Sequence, residues 1–188
     1  MSHSFTHMSN PVELWFRISG PPTAQEAVCG LLLDNADDQF TEPQVREELE
    51  LPRSTVSVAL KTLVRHGIVE MTRVGRSGLY STSTLNPLVR QLKIARAVRG
   101  VQVALEPIAG LVDLAILFGS ASRGENRAGS DVDVLIVTSE TGPVTDALAG
   151  LLWMQPLVMT SARHMALLAE NTTLATEMAK GIRILERR

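Results

Sequence analysis

The stretch LFGSASRGENRAGSDVDVLI, Leu117–Ile136, decides the fold of the second half of this chain. An apolar run reaches Gly119-Ser120, a polar loop (121–130) follows, and Asp131 and Asp133 open a second apolar run. Positions i and i+2 of a strand point to one face, so this spacing predicts two carboxylates projecting together. Such like charges repel and are tolerable with water or a cation between them. Oxygen ligands in a small cluster suit Mg²⁺, which binds through one or two carboxylates together with substrate phosphates. Gly119 lets a backbone come close to a phosphate, and the Ser120 hydroxyl and amide can donate to it. Arg123 offers a bidentate contact to the same anion. The plain alternative is a hydrophilic turn followed by acids that merely start a strand.

The pattern resembles the DNA polymerase beta-type nucleotidyltransferase superfamily, in particular its minimal members of the form Gly-Ser-x-x-Arg-Gly-Glu…Ser-Asp-x-Asp. The matching residues are Gly119, Ser120, Arg123, Gly124, Glu125, Ser130, Asp131 and Asp133, and the resemblance spans about residues 108–185. It implies a mixed sheet with flanking helices. It also implies a nucleoside triphosphate held by Gly119, Ser120, Arg123 and Ser130, and Mg²⁺ held by a catalytic pair, Asp131 and Asp133. A nucleoside monophosphate then passes to a hydroxyl acceptor with loss of pyrophosphate. Active members carry a third carboxylate on a later strand, yet the strand expected here, Gln155–Ser161, contains no acid. Asp113, Asp146 and Glu170 are poor replacements by position. Without that base the site loses part of its phosphoryl-transfer rate and can still bind nucleotide.

Working outward, Leu111–Phe118, Val132–Thr138 and Pro156–Thr160 read as short buried strands, Val144–Met154 as a helix and Ala162–Lys180 as a mostly helical tail. This mixture predicts an α/β or α+β layer architecture. Asn86-Pro87 marks a boundary. Leu88, Leu92, Ala95, Val98, Val101 and Leu105 then recur at helical spacing, as in a rod between domains or a dimer seam.

The first third carries three helix signals. Thr23-Ala-Gln-Glu26 and Thr41-Glu-Pro-Gln44 both have the spacing of a capping box. Ser54 is the expected cap of a third helix whose Val56, Leu60, Leu63 and Val64 share a stripe, ending at Gly67. Two short strands, Ile68–Met71 and Leu79–Thr84, surround the glycine-punctuated Arg73–Gly78. This order, and the string Glu50–Glu70, resemble winged helix-turn-helix repressors such as the multidrug-resistance regulators, over about residues 23–85. The resemblance implies a third helix in the major groove and a wing on the backbone or minor groove. Independently, the stripe leaves Thr55, Ser57, Lys61, Thr62 and Arg65 outward. Arg53, Lys61, Arg65, Arg73 and Arg76 face one acid, Glu70, within residues 53–76. Short hydroxyls with nearby cations suit bases and phosphates. The expected DNA-binding set is Arg53, Thr55, Ser57, Lys61, Arg65, Arg73 and Arg76. A solvated helix face or a protein-binding winged helix is the alternative.

Composition excludes less. A net charge of −2 over 188 residues does not oppose a locally basic surface. One cysteine, Cys29, rules out a disulfide framework or cysteine zinc cluster and fits a reducing cytoplasm. No apolar run is long enough to span a bilayer, so no membrane partner is expected. Met1–Asn10 lacks the apolar stretch of a secretory signal and reads as a loose tail whose His3 and His7 are too isolated to ligate metal. Trp15 and Phe16 read as packing residues of an early element. His164 near Ser161 lacks a placed acid, so a hydrolase triad is not expected, and His66 suits the end of the third helix.

The expected division is a tail over 1–20, a winged helix-turn-helix over 21–86, a linker helix over 87–107 and a nucleotidyltransferase-like domain over 108–188. The leading functional expectation is a transcription regulator, homodimeric on double-stranded DNA, whose second domain binds Mg²⁺-nucleotide and transfers weakly. The alternatives are an active nucleotidyltransferase acting on protein or nucleic acid, and an antitoxin-like protein that covers a protein partner.

Overall fold

The computed structural model describes residues 23–170 and 172–187. The expectations for the N-terminal tail and for Trp15 and Phe16 lie outside them. The architecture is α+β, with a three-stranded sheet in the first half and a four-stranded mixed sheet in the second.

The first half is built on local signals. Helix α1 (Ala24–Asp34) and helix α2 (Glu42–Leu49) each start at a complete capping box, Thr23/Glu26 and Thr41/Gln44. Strand β1 (Phe40–Thr41) lies between them. Helix α3 (Arg53–Arg65) is capped by Pro52 with no side-chain bond, two residues before the expected cap, so Ser54 is already inside the helix. Val28, Leu32, Val45, Val56, Ala59, Leu60, Leu63 and Val69 close the core. Ile68 and Val69 still bond back to the Leu63 carbonyl, which delays the next strand to β2 (Glu70–Val74). Strand β3 (Ser77–Ser81) pairs antiparallel with it. The turn is only Gly75-Arg76, tighter than the loop expected, and Gly75 has the positive φ of 60° that such a hairpin needs.

Helix α4 (Pro87–Leu105) joins the halves. Its C-terminal part buries Val101 and Leu105 in the second core. Its N-terminal part departs from the expected apolar stripe: Leu88 and Ala95 are exposed, while Val89, Lys93, Arg96 and Gly100 are buried. Arg96 pairs with Asp34 of α1 at 2.9 Å, and Lys93 Nζ donates to the Asn126 carbonyl of the 121–130 loop. The helix thus touches both halves through charged side chains.

A 3₁₀ segment (Glu106–Leu111) leads into β4 (Leu114–Leu117), then β5 (Val132–Val137), α5 (Thr141–Leu148), β6 (Met154–Met159), α6 (Ser161–Ala169), α7 (Thr173–Ala179) and β7 (Ile182–Glu186). The sheet order is β6-β5-β4-β7, with β5 and β6 parallel and the other pairs antiparallel. Three expectations shift here: α5 is shorter than Val144–Met154, the helical tail breaks into two helices, and β7 was not foreseen. Alternation sorts the sheet's faces. Ala115, Leu117, Val134 and Ile136 pack with α4 residues in one cluster; Ile116, Leu135 and Val137 pack with Leu167 and Met178 in another. Among the described residues no helix is long and apolar enough to cross a membrane.

Candidate functional site

Strand β4 ends at Leu117, and the chain turns at Gly119, whose φ of +70° favours glycine. A Cβ at Gly119 would collide with Asp133 Oδ2, so the carboxylate lies directly on the turn. The Phe118 amide donates to the Asp133 carbonyl at 3.0 Å and fixes that apposition. Beyond the turn a short 3₁₀ segment (Ala121–Arg123) ends at Gly124, which packs against the α4 backbone at Arg90.

Asp133 is half-buried and Asp131, just before β5, is exposed. Neither carboxylate makes an ion pair or side-chain hydrogen bond among the described residues. Burial first, and then the neighbouring Asp131 carboxylate, push the Asp133 carboxyl above its usual range. Two acids this close, with no protein cation, form a donor set that a hard cation would stabilise. The described residues contain no group of three or more His, Cys, Asp or Glu able to hold a metal. The pair therefore fits one Mg²⁺ whose remaining positions come from phosphate oxygens and water.

Register brings a residue of the next strand beside Asp133. Strand β6 pairs Gln155 with Asp133, so a neutral carboxamide stands beside the aspartate where an acid was sought. Sequence reading noted the missing acid but could not place Gln155, because parallel register is set by the crossover. Asp113 lies at the opposite end of β4, Asp146 is exposed on α5, and Glu170 pairs with Arg163 at 3.0 Å.

The other expected residues of this corner are distributed as follows. The Ser120 hydroxyl makes no hydrogen bond among the described residues, and its carbonyl accepts from the Arg123 and Glu125 amides. Arg123 is tied to Glu125 at 2.9 Å and to Glu177 of α7 at 2.7 Å. The Ser130 hydroxyl accepts from the Arg127 amide at 3.0 Å, pinning the turn before Asp131. His164 is held below its usual range by burial and has no side-chain partner among the described residues. Burial pushes the Cys29 thiol up to about 11, so it stays protonated at neutral pH.

On the winged helix, Arg53, Lys61, Arg65, Arg73 and Arg76 are all exposed, and Thr55 and Ser57 are half-buried. The outermost stripe of α3 is Ser54, Val58, Lys61 and Arg65. Val58, 64% exposed, was not among the outward residues expected. It offers a methyl pair to a thymine methyl. Thr62 spends its hydroxyl on the Val58 carbonyl at 2.9 Å. Arg53 pairs with Glu42 at 3.1 Å. Arg46 was also missed; with Arg53 and Arg76 it lines a notch of about 330 Å³ between α2 and the wing. Only the tertiary fold brings those three together.

Two family models match the chain: the Nucleotidyltransferase domain over residues 103–172 and the IclR helix-turn-helix domain over residues 32–73. No curated protein matches it. Two solved structures are similar in part. One is the PcaV transcriptional regulator from Streptomyces coelicolor in complex with its natural ligand. It is 25% identical over 50% of this chain and 70% of that one, with a TM-score of 0.37. The other is the type III plasmid segregation protein TubR, 22% identical over 48% of this chain and 90% of that one, with a TM-score of 0.29. Within this chain, residues 32–73 match a helix-turn-helix domain, continued by the β2–β3 wing, and residues 103–172 match a nucleotidyltransferase domain.

Proposed function

We propose that this protein is a DNA-binding transcription regulator whose second domain binds Mg²⁺-nucleotide and transfers a nucleoside monophosphate weakly. One observation carries the reading: the Asp133 carboxylate lies on a Gly-Ser turn with the Asp131 carboxylate as its charged neighbour and no protein cation paired to either, while Gln155 occupies the neighbouring register position. Asp131 and Asp133 would hold the metal, which when bound neutralises phosphate charge and orients the phosphates. Gly119 leaves room for the Asp133 carboxylate, and the Ser120 hydroxyl and backbone would donate to a phosphate. Arg123 reaches the same anion after leaving Glu177, and Ser130 keeps Asp131 in place. A carboxamide cannot accept the acceptor hydroxyl's proton at neutral pH, so Gln155 supports binding over turnover.

On DNA, Thr55, Ser57, Lys61 and Arg65 read or flank the major groove, and Arg73 and Arg76 sit on the backbone at the wing. Arg53 joins Arg46 at a phosphate beside α2. We assign the working units as 21–86, 87–107 and 108–188, in a cytoplasmic homodimer reading two half-sites.

The test is incubation with α-labelled ATP or CTP and Mg²⁺, with pyrophosphate release as readout. The reading predicts release near background while nucleotide remains bound, and a gain of at least roughly tenfold in Gln155→Asp, a typical size for a restored general base. Rapid release by the unmodified protein in the presence of an acceptor would instead establish an active transferase.

A further inference from the structure

A second site lies on the opposite face of β5 from Asp133. There α1, α2, α4 and the 121–130 loop enclose a cleft of about 450 Å³, a size that suits a small organic ligand. Of the nucleotide corner, Ser130 and Asp131 border it and Gly119, Ser120 and Asp133 do not. Three polar groups in its wall call for a ligand. Lys93 is 4% exposed, and its ammonium has no carboxylate within ion-pairing distance among the described residues. The carbonyl of Asn126 is its hydrogen-bond acceptor, which leaves two of its three donors unspent. The Trp153 indole N–H is buried without an acceptor, and Asn126 Oδ1 is buried without a donor. Buried charges in folded proteins are normally paired, and buried polar atoms are normally bonded.

The nearest acids do not fill that role. Asp34 is taken by Arg96, Asp37 accepts from Thr84, and Glu48 and Asp131 are exposed at the rim. The wall also carries Asn35, Arg127 and Ser130, and its apolar part is formed by Leu31 and Leu49 on the winged-helix side and Ala97 and Leu152 opposite. We infer that this cleft binds a small organic anion with an apolar body, its anionic group on Lys93 and the Trp153 N–H, and its body between Leu49 and Leu152. The ligand would touch both halves of the chain at once. The inference does not depend on nucleotide binding at the Asp131/Asp133 corner.

The test uses the full chain carrying Trp15→Phe, so that Trp153 is its one fluorophore of this type. Titration with hexanoate should change Trp153 emission saturably, with acetate (anionic group alone) and hexanol (apolar body alone) each at least tenfold weaker. Lys93→Met should weaken hexanoate at least tenfold. Leu152→Asp, at a position 85% exposed where folding is not at stake, should weaken it several-fold by charge repulsion. Asp133→Asn should leave it unchanged. No saturable response to hexanoate, unchanged affinity in both Lys93→Met and Leu152→Asp, or loss in Asp133→Asn would overturn the assignment. The last result would move the ligand to the nucleotide corner.

Discussion

On the winged helix, Arg53, Lys61, Arg65, Arg73 and Arg76 stand apart on exposed positions; at the β4–β5 corner, Asp131 and Asp133 stand together and unpaired. The first surface costs the fold little, because each charge is solvated separately and phosphate contacts sum. The second imposes repulsion and desolvation on the folded state, recovered when a cation and a phosphate arrive. DNA binding should therefore weaken in steps as single residues are removed, whereas the corner should fail as a unit. Arg96 and Asp34 add a third arrangement: a buried cation meets a half-buried carboxylate and the pair links α4 to α1.

The largest effect is expected at the corner. Asp131→Asn with Asp133→Asn should lower Mg²⁺-dependent nucleotide affinity by roughly 100-fold or more, about 2.7 kcal/mol. The same variant should melt slightly above the parent, because the repulsion is gone; a lower melting temperature would mean that the acids support the fold. Gly119→Ala comes next. Its φ of +70° and the collision with Asp133 should cost about 1–3 kcal/mol of stability. Urea unfolding would measure this, with a loss of nucleotide affinity in parallel.

The pH dependence sharpens the contrast. Folding raises the Asp133 carboxyl above its ordinary 3.8, so the protonated form is favoured in the folded state. Its contribution to stability is complete below the unfolded value and is lost as pH rises through the raised one. Asp133→Asn should remove that part of the stability–pH profile in metal-free buffer, whereas Arg73→Gln should leave it untouched. On DNA, Arg73→Gln and Arg76→Gln should each reduce the slope of log affinity against log salt by about 0.9 and add when combined. An all-or-none loss on either single change would remove the distinction between the two surfaces. The smallest effect is Thr41→Ala, which breaks the capping box of α2 and should cost about 1 kcal/mol.

What the sequence revealed follows the range of the interactions. Both capping boxes were legible because a hydroxyl and an acceptor three residues apart form a closed local unit. The closeness of Asp131 and Asp133 was legible because two positions apart is equally local, although Asp131 lies just before β5 rather than on the strand from which alternation was argued. The α4 interior was misread because periodicity assumes that the apolar stripe is the buried one. Lys93 and Arg96 are buried instead, bonded to Asn126 and Asp34, which lie 33 and 62 positions away. Gln155 and Arg46 escaped for the same reason: parallel register and a notch between α2 and the wing exist only after long-range packing. Strand β7 mixes Arg183 with Ile182 and Ile184 in five residues, too short a pattern to separate from the helices before it.

The central claim is that the corner's paired acids wait for a cation carried with a phosphate. Calorimetric titration of the unmodified protein with a nonhydrolysable ATP, once in Mg²⁺ and once in EDTA, tests it most directly. Saturable binding in Mg²⁺ that falls by at least roughly 100-fold in EDTA is the predicted result. Equal affinity in both buffers, or no binding in either, would contradict it.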